Sequence, residues 1–328
     1  MIVYIIIIYI CLIVKCKSDI ALTSFRFGLG FNESMPITNR DYFLTHLRSI
    51  STFKNTTFLY FTDHIETKLP FPANVKQILI TWDDLVSKLE AFVGKTFPSL
   101  RKSNNYYKLC DFKPLMVLLY PKYFSKYELV GWIDNDLWFS SELERFILYY
   151  YKKVGYSQLS LVDRWEKKLS WGPISVFTLK FYNTYINDAL RTSENRKTLI
   201  KVFDEDDNYS FTEWGFHHHE PVFHNSFSRV LLDIYNENPN IKRLYLPEMD
   251  EVQKLQLLGI PNDRPCHDPQ IPPENCGYCL MVIKNGETLL YLDESESTKR
   301  DKNMWKGKLM CHFQYGKEAG RQRHGNTI

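Results

Sequence analysis

Residues 106–139 read YYKLCDFKPLMVLLYPKYFSKYELVGWIDNDLWF, an apolar run interrupted abruptly by two carboxylates. Leu129, Val130, Gly131, Trp132 and Ile133 have the length and composition of a buried central strand, and Asp134 and Asp136 stand at its carboxyl end. In an open α/β sheet, ligands bind outside the carboxyl ends of the strands. Residues two apart on an extended chain point the same way, which presents both carboxylates to one spot, with their Cα atoms roughly 7 Å apart. Like charges so placed need a cation between them. A hard divalent ion, Mg2+ or Mn2+, takes carboxylate oxygens and completes its shell with water and phosphate oxygens. The stretch therefore predicts a metal-held phosphate ligand at the tip of a sheet.

Upstream, the spacing predicts a strand and loop over 20–31, a helix over 42–51, and a strand over 57–61 ending at Thr62 and Asp63. A further strand is expected over 75–80, with a helix from Asp83 and Asp84 through Val93. This β-α-β rhythm predicts a parallel sheet. Residues 108–119 read as a helix with Pro114 in its first turn. Gly28 and Gly30 are too few for a dinucleotide fingerprint. Downstream the pattern is less regular, with a strand expected over 176–179, helices over 183–190 and 229–235, and an acidic turn over 204–207. A Pro- and Asp-rich loop spans 261–273, and residues 278–284 and 288–292 flank Asn285-Gly286 as a β-hairpin. There is no internal repeat and no clean linker.

The 328 residues, 44% hydrophobic and 24% charged, suffice for one large core. A net charge of +3 implies neither a nucleic-acid partner nor an acidic membrane surface. The 15% aromatic content suits either a sugar- or base-binding cleft or simply a core rich in rings. MIVYIIIIYICLIV at the amino terminus is shorter than the ~20 residues a spanning helix needs and fits a signal-peptide core. A retained short anchor is the alternative, and it is the only membrane link expected. Sequons for Asn-linked glycans at Asn32, Asn55 and Asn208 are compatible with a luminal location. In an oxidising lumen Cys266, Cys276, Cys279 and Cys311 read as a pair of disulfides. A structural zinc site built from the same cysteines with His267 and His312 is the rival reading. Cys110 reads as a buried, inert thiol.

The segment YKLCDFKP, residues 107–114, followed by Gly131-Trp132-Ile133-Asp134-Asn135-Asp136, resembles the hallmark of a family of GT-A-fold glycosyltransferase-like proteins. PANVKQILITWDDL over 72–85, Phe203-Asp204-Glu205, His312-Phe313-Gln314 and Lys317 are similar to further elements of that family, so the likeness runs through most of residues 20–317. One departure stands out, because Gly172-Pro173 occupies the place of a Gly-His pair before Ile174. The resemblance implies an α/β, GT-A-like nucleotide-diphospho-sugar transferase fold: a Rossmann-like, mainly parallel sheet flanked by helices. It also implies a nucleotide-diphosphate sugar as donor, a glycan or glycoprotein as acceptor and Mn2+ or Mg2+ as cofactor, while the amino-terminal leader, cleaved or retained, sends the body into the secretory pathway, so a location in the Golgi or ER lumen or outside the cell is expected. The division expected is a leader over 1–18, one domain over 19–317 and a disordered tail over 318–328. Within the domain, 19–150 forms the nucleotide-binding half and 151–317 the acceptor half.

Glycosyl transfer develops negative charge on the departing diphosphate, which a divalent cation neutralises. Asp134 and Asp136 are the expected metal ligands, and the resemblance implies His312 as the third. The bland alternative for the aspartates is a solvated turn with an Asx cap. Lys108, Asp111, Lys113 and Asp63 are expected to bind base, ribose or diphosphate, along with Asp134. Against this, Lys108, Asp111 and Lys113 also suit a salt-bridged helix face. Asp204 and Glu205, and more weakly Glu213, are candidate catalytic carboxylates, an inverting enzyme needing one as general base. His217, His218 and His219 cannot all point one way, so they read as a polar loop or, through His217 and His219, as a zinc site of a hydrolase. The alternative to an active transferase is a secreted binding protein that keeps the fold without turnover, motivated by Pro173.

Overall fold

The computed structural model describes residues 19–27, 37–67, 69–103, 108–135, 137–160, 174–204, 211, 226–245, 258–259, 278–284, 287–293 and 310–312. For residues 37–42, 103, 160 and those from 244 onward it describes the backbone alone. The strands are β1 Ile20–Arg26, β2 Thr56–Thr62, β3 Val75–Leu79, β4 Leu129–Ile133, β5 Leu137–Phe139, β6 Gln158–Ser160, β7 Ile174–Thr178 and β8 Arg243–Tyr245. They are followed by β9 Leu258–Gly259, β10 Tyr278–Lys284, β11 Glu287–Asp293 and β12 Met310–His312. The helices are α1 Ile37–Ile50, α2 Trp82–Val93, α3 Pro98–Ser103, α4 Leu109–Phe112, α5 Met116–Leu119 and α6 Ser141–Tyr149. After them come α7 Leu179–Phe181, α8 Asn187–Arg191, α9 Ser193–Asp204 and α10 Phe227–Glu237.

The main sheet runs β3-β2-β1-β4-β7-β6-β8. β3, β2, β1 and β4 are mutually parallel, whereas β7 is antiparallel to both β4 and β6. The chain thus winds outward from β1 to β3 and then returns to lay β4 on the opposite flank of β1. Central β1, β2 and β4 are buried along their whole length, the Thr, Ser and Arg positions of β1 and β2 included, as strands covered on both faces must be, while edge strand β3 is buried only at Ile78. Alternate residues enter two cores. Val130 and Trp132 join Leu85, Val86 and Leu89 of α2 and Val230 and Leu231 of α10. Leu129 and Ile133 join Phe43, Leu47 and Ile50 of α1 and Leu143 and Ile147 of α6. The protein is therefore a mixed α/β structure with a mostly parallel central sheet between helical layers, as expected.

Local chemistry explains the helix ends. The Thr81 hydroxyl accepts the Asp84 N–H at 3.0 Å to start α2, and Gly94 ends it in the left-handed region at φ 81°. The single helix expected over 108–119 is not formed. A 3-10 segment, Lys113–Leu115, separates α4 from α5, because Pro114 has no N–H for the usual bond and its ring crowds the preceding turn. The helix expected over 183–190 begins earlier as α7 and passes through a π-helical turn, Tyr182–Ile186, into α8. Gly131 allows β4 and β7 to pack. A Cβ there would lie 2.0 Å from the Ser175 carbonyl oxygen.

Among the described residues no helix is long and apolar enough to cross a membrane. The leader, the sequons at Asn32 and Asn208, Gly172-Pro173, Cys266, Cys276 and the tail lie outside those residues. Of the expected cysteine pairs only the backbones of Cys279 in β10 and Cys311 in β12 are described. Cys110 is half-buried rather than fully enclosed.

Candidate functional site

The four parallel strands end on one edge, and the strand order reverses between β1 and β4. A crevice opens there in doubly wound sheets. Asp134 follows β4 directly at this edge, with its side chain 18% exposed. Asn135 bridges the two strands that flank the reversal: its Nδ2 donates to the Phe25 carbonyl at 2.7 Å, and its Oδ1 accepts the Ser24 hydroxyl at 2.6 Å. The same hydroxyl lies 3.1 Å from the Ile133 carbonyl. The middle residue of Asp-x-Asp thus sews the turn onto β1. The sequence reading passed over both Asn135 and Ser24, although an amide between two acids at a strand end is a recognisable turn signal.

Asp134 Oδ1 accepts from Lys113 Nζ at 2.5 Å. Lys113 belongs to the 3-10 segment that Pro114 imposes, and its side chain is only 4% exposed. Such a pair holds together because each charge offsets the other's lost hydration.

Lys108 and Asp111 form a second buried pair at 3.6 Å, with side chains 5% and 4% exposed. Lys108 Nζ donates to the Val202 carbonyl at 2.8 Å, in the last turn of α9. A lysine suits that place because terminal carbonyls of a helix lack intrahelical donors and carry partial negative charge. Asp111 Oδ1 accepts the Phe211 N–H at 2.6 Å. These two residues tie the chain on either side of 205–210 to the YKLCDFKP turn, and they match the salt-bridged alternative in geometry. Asp204 ends α9 in an ion pair with Lys95, which follows the capping glycine of α2. Asp63 sits just beyond β2, half-buried, on the carboxyl edge of the sheet.

Asp136, Glu205, Glu213 and His217–His219 lie outside the described residues. His312 is described in its backbone: it ends β12, antiparallel to β5, in register with Leu137, the residue after Asp136. Among the described residues no group of three or more His, Cys, Asp and Glu is gathered for a metal.

Two further residues escaped the sequence reading. Arg26 ends β1 with its guanidinium 4.1 Å over the Phe43 ring, and burial lowers its pKa against the opposing pull of Glu66 and Tyr60. His46, fully buried in α1, places Nδ1 2.5 Å from the Leu137 carbonyl and Nε2 against the Tyr60 hydroxyl. Burial raises the Tyr60 pKa, so the phenol keeps its proton. The visible signal was a histidine on the apolar face of a helix, in step with Phe43, Leu47 and Ile50.

Solved structures similar to this chain include glycosyltransferases at low identity. Mouse xyloside xylosyltransferase 1 in its apo form is 12% identical, with 74% of this chain and 87% of that one covered and a TM-score of 0.41. A glycosyltransferase involved in glycosylation of the major capsid of PBCV-1 is 10% identical over 94% and 99%, with a TM-score of 0.38. The mannosyltransferase Ktr4p from S. cerevisiae is 11% identical, with 57% of this chain covered and a TM-score of 0.34; the chain spans 61% of that protein. No curated protein sequence matches the chain. Residues 38–317 match the Family of unknown function (DUF6625), and the chain belongs to that family.

Proposed function

We propose that the chain is a metal-dependent glycosyltransferase of GT-A type, moving a sugar from a nucleoside-diphosphate donor to a glycan or glycoprotein in the secretory lumen. One observation carries this reading: Asp134-Asn135 stands where the strand order reverses, bonded across to β1 and paired with buried Lys113. Asp134, Asp136 and His312 would hold Mn2+ or Mg2+. Carboxylates with one imidazole are a donor set such ions accept, and the pairing of β12 with β5 supports His312 as the third member. When bound, the ion neutralises charge developing on the diphosphate.

The protein's own groups do the remaining work. Lys113 supplies a fixed positive charge beside Asp134, oriented before the donor arrives, so little reorganisation is needed as charge builds. Asp63, on the same edge, is positioned for a hydroxyl or base N–H of the nucleoside. Lys108 and Asp111 hold the YKLCDFKP turn against α9 and Phe211, which keeps Lys113 in place. For an inverting reaction a carboxylate oxygen takes the acceptor hydroxyl's proton. Glu205 is the better choice, since Asp204 is engaged by Lys95.

The test is calorimetry with nucleoside diphosphates, with and without Mn2+, alongside a donor-hydrolysis screen over nucleotide sugars. Asp136→Ala is expected to abolish metal-dependent nucleotide binding while the protein melts as before. Unchanged nucleotide affinity in that variant would refute the assignment. Tight nucleotide binding without sugar release from any donor would favour the non-catalytic binding protein, the reading that Pro173 motivates.

A further inference from the structure

His46 is enclosed on every side. Its ring lies 6.0 Å from the rings of Phe43 and Phe139 and 6.2 Å from that of Tyr60, and it has no solvent exposure. Its hydrogen bonds define its chemical form. The Leu137 carbonyl can only accept, so Nδ1 carries the proton that it receives, and Nε2 meets the Tyr60 hydroxyl. The relay runs from β2 through Tyr60 and His46 to the backbone of β5. β5 begins one residue after Asp136, and Leu137 is the register partner of His312. Leu137 is thus held from one side by His46 and paired on another with the strand that ends at His312.

Resting on the metal-dependent reading above, we infer that His46 is a positioning residue for the Asp134, Asp136 and His312 centre. By holding the Leu137 carbonyl it fixes the first residue of β5, which follows Asp136 in sequence and is the register partner of His312. It touches no ligand itself. Groups that orient ligands from behind commonly change metal affinity about 10–100-fold when removed.

The experiment is Mn2+ titration in the presence of UDP, monitored by free-Mn2+ electron paramagnetic resonance, with metal-free melting recorded in parallel. His46→Leu is expected to weaken Mn2+ binding about 10–100-fold. His46→Gln, whose amide N–H can still donate towards the carbonyl, should restore most of it. Tyr60→Phe removes only the hydroxyl and should weaken binding by a smaller factor. Phe43→Leu is the control, since it disturbs the same core but not the relay, and it should lower the melting temperature without moving Mn2+ affinity. The inference is overturned if His46→Leu binds Mn2+ like the wild type, or if Phe43→Leu weakens binding equally. A wild-type protein that binds no Mn2+ would instead remove the metal-dependent reading, and the inference with it. Wild-type binding with an indifferent His46→Leu would sink the inference alone.

Discussion

Replacing Gly131 by alanine tests the packing of the strand that ends at Asp134. The added Cβ would stand 2.0 Å from the Ser175 carbonyl oxygen and 3.0 Å from both the Ser175 carbonyl carbon and the Val176 Cα. Cβ contacts under 3.0 Å are essentially never seen, so β4 and β7 must part by at least about 1 Å or the carbonyl must swing out of the ladder. Trp132 pairs with Ser175 and Gly131 with Val176, both in the middle of a fully buried strand. Losing two ladder bonds costs about 1 kcal/mol each, and leaving their buried groups unsatisfied adds about 1–3 kcal/mol. The reduced entropy of the unfolded chain offsets only about 0.4–1 kcal/mol. A net loss of about 2–5 kcal/mol is therefore expected, a large share of the ~5–15 kcal/mol typical of a folded protein. Urea unfolding followed by tryptophan fluorescence should show a lower midpoint with an unchanged slope. Gly94→Ala is the comparison: nothing lies within 4 Å of its added Cβ, and its cost of about 1 kcal/mol comes from φ 81° alone. Gly131→Ala within about 1 kcal/mol of wild type would refute the steric argument.

Glu144 of α6 accepts the Lys54 N–H at 3.0 Å, the Asn55 N–H at 2.7 Å and the Thr56 hydroxyl at 2.7 Å, so Glu144→Ala should cost about 2–4 kcal/mol in chemical denaturation. Lys113→Met should cost about 2 kcal/mol, less than the 3–5 kcal/mol lost on breaking a fully buried pair, because Asp134 keeps 18% exposure. If it melts like the wild type, the pair does not stabilise the fold. Arg101 holds the Glu90 carboxyl below its usual 4.5, mainly through their hydrogen bond. A depressed carboxylate contributes stability above 4.5 that is lost as pH falls through the lowered value. The difference in melting temperature between wild type and Arg101→Gln should therefore be full at pH 7 and shrink below 4.5; a gap that persists there would contradict the linkage.

Much of the nucleotide-facing half is legible in the chain because its signals are local. The apolar runs at 58–61 and 129–133 mark buried strands, Asp83 and Asp84 mark the first turn of α2, and Asp134 follows β4 without intervening residues. The chain's own order also implied parallel strands. What escaped reading depends on segments distant in sequence meeting in space. The acid–base pairing of Asp134 with Lys113 across a proline-broken helix, the Asn135 bridge to Ser24 and Phe25, and the His46 bond to Leu137 leave no periodic trace, since each joins one atom to one atom. The three-residue pairing of β5 with β12 is likewise too short to be heard locally and exists only because the intervening chain folds back. Composition and period thus settled which layers form, while closure of the sheet decided which charges and carbonyls confront one another, because hydrophobic burial is read from runs of residues and a hydrogen bond only from position.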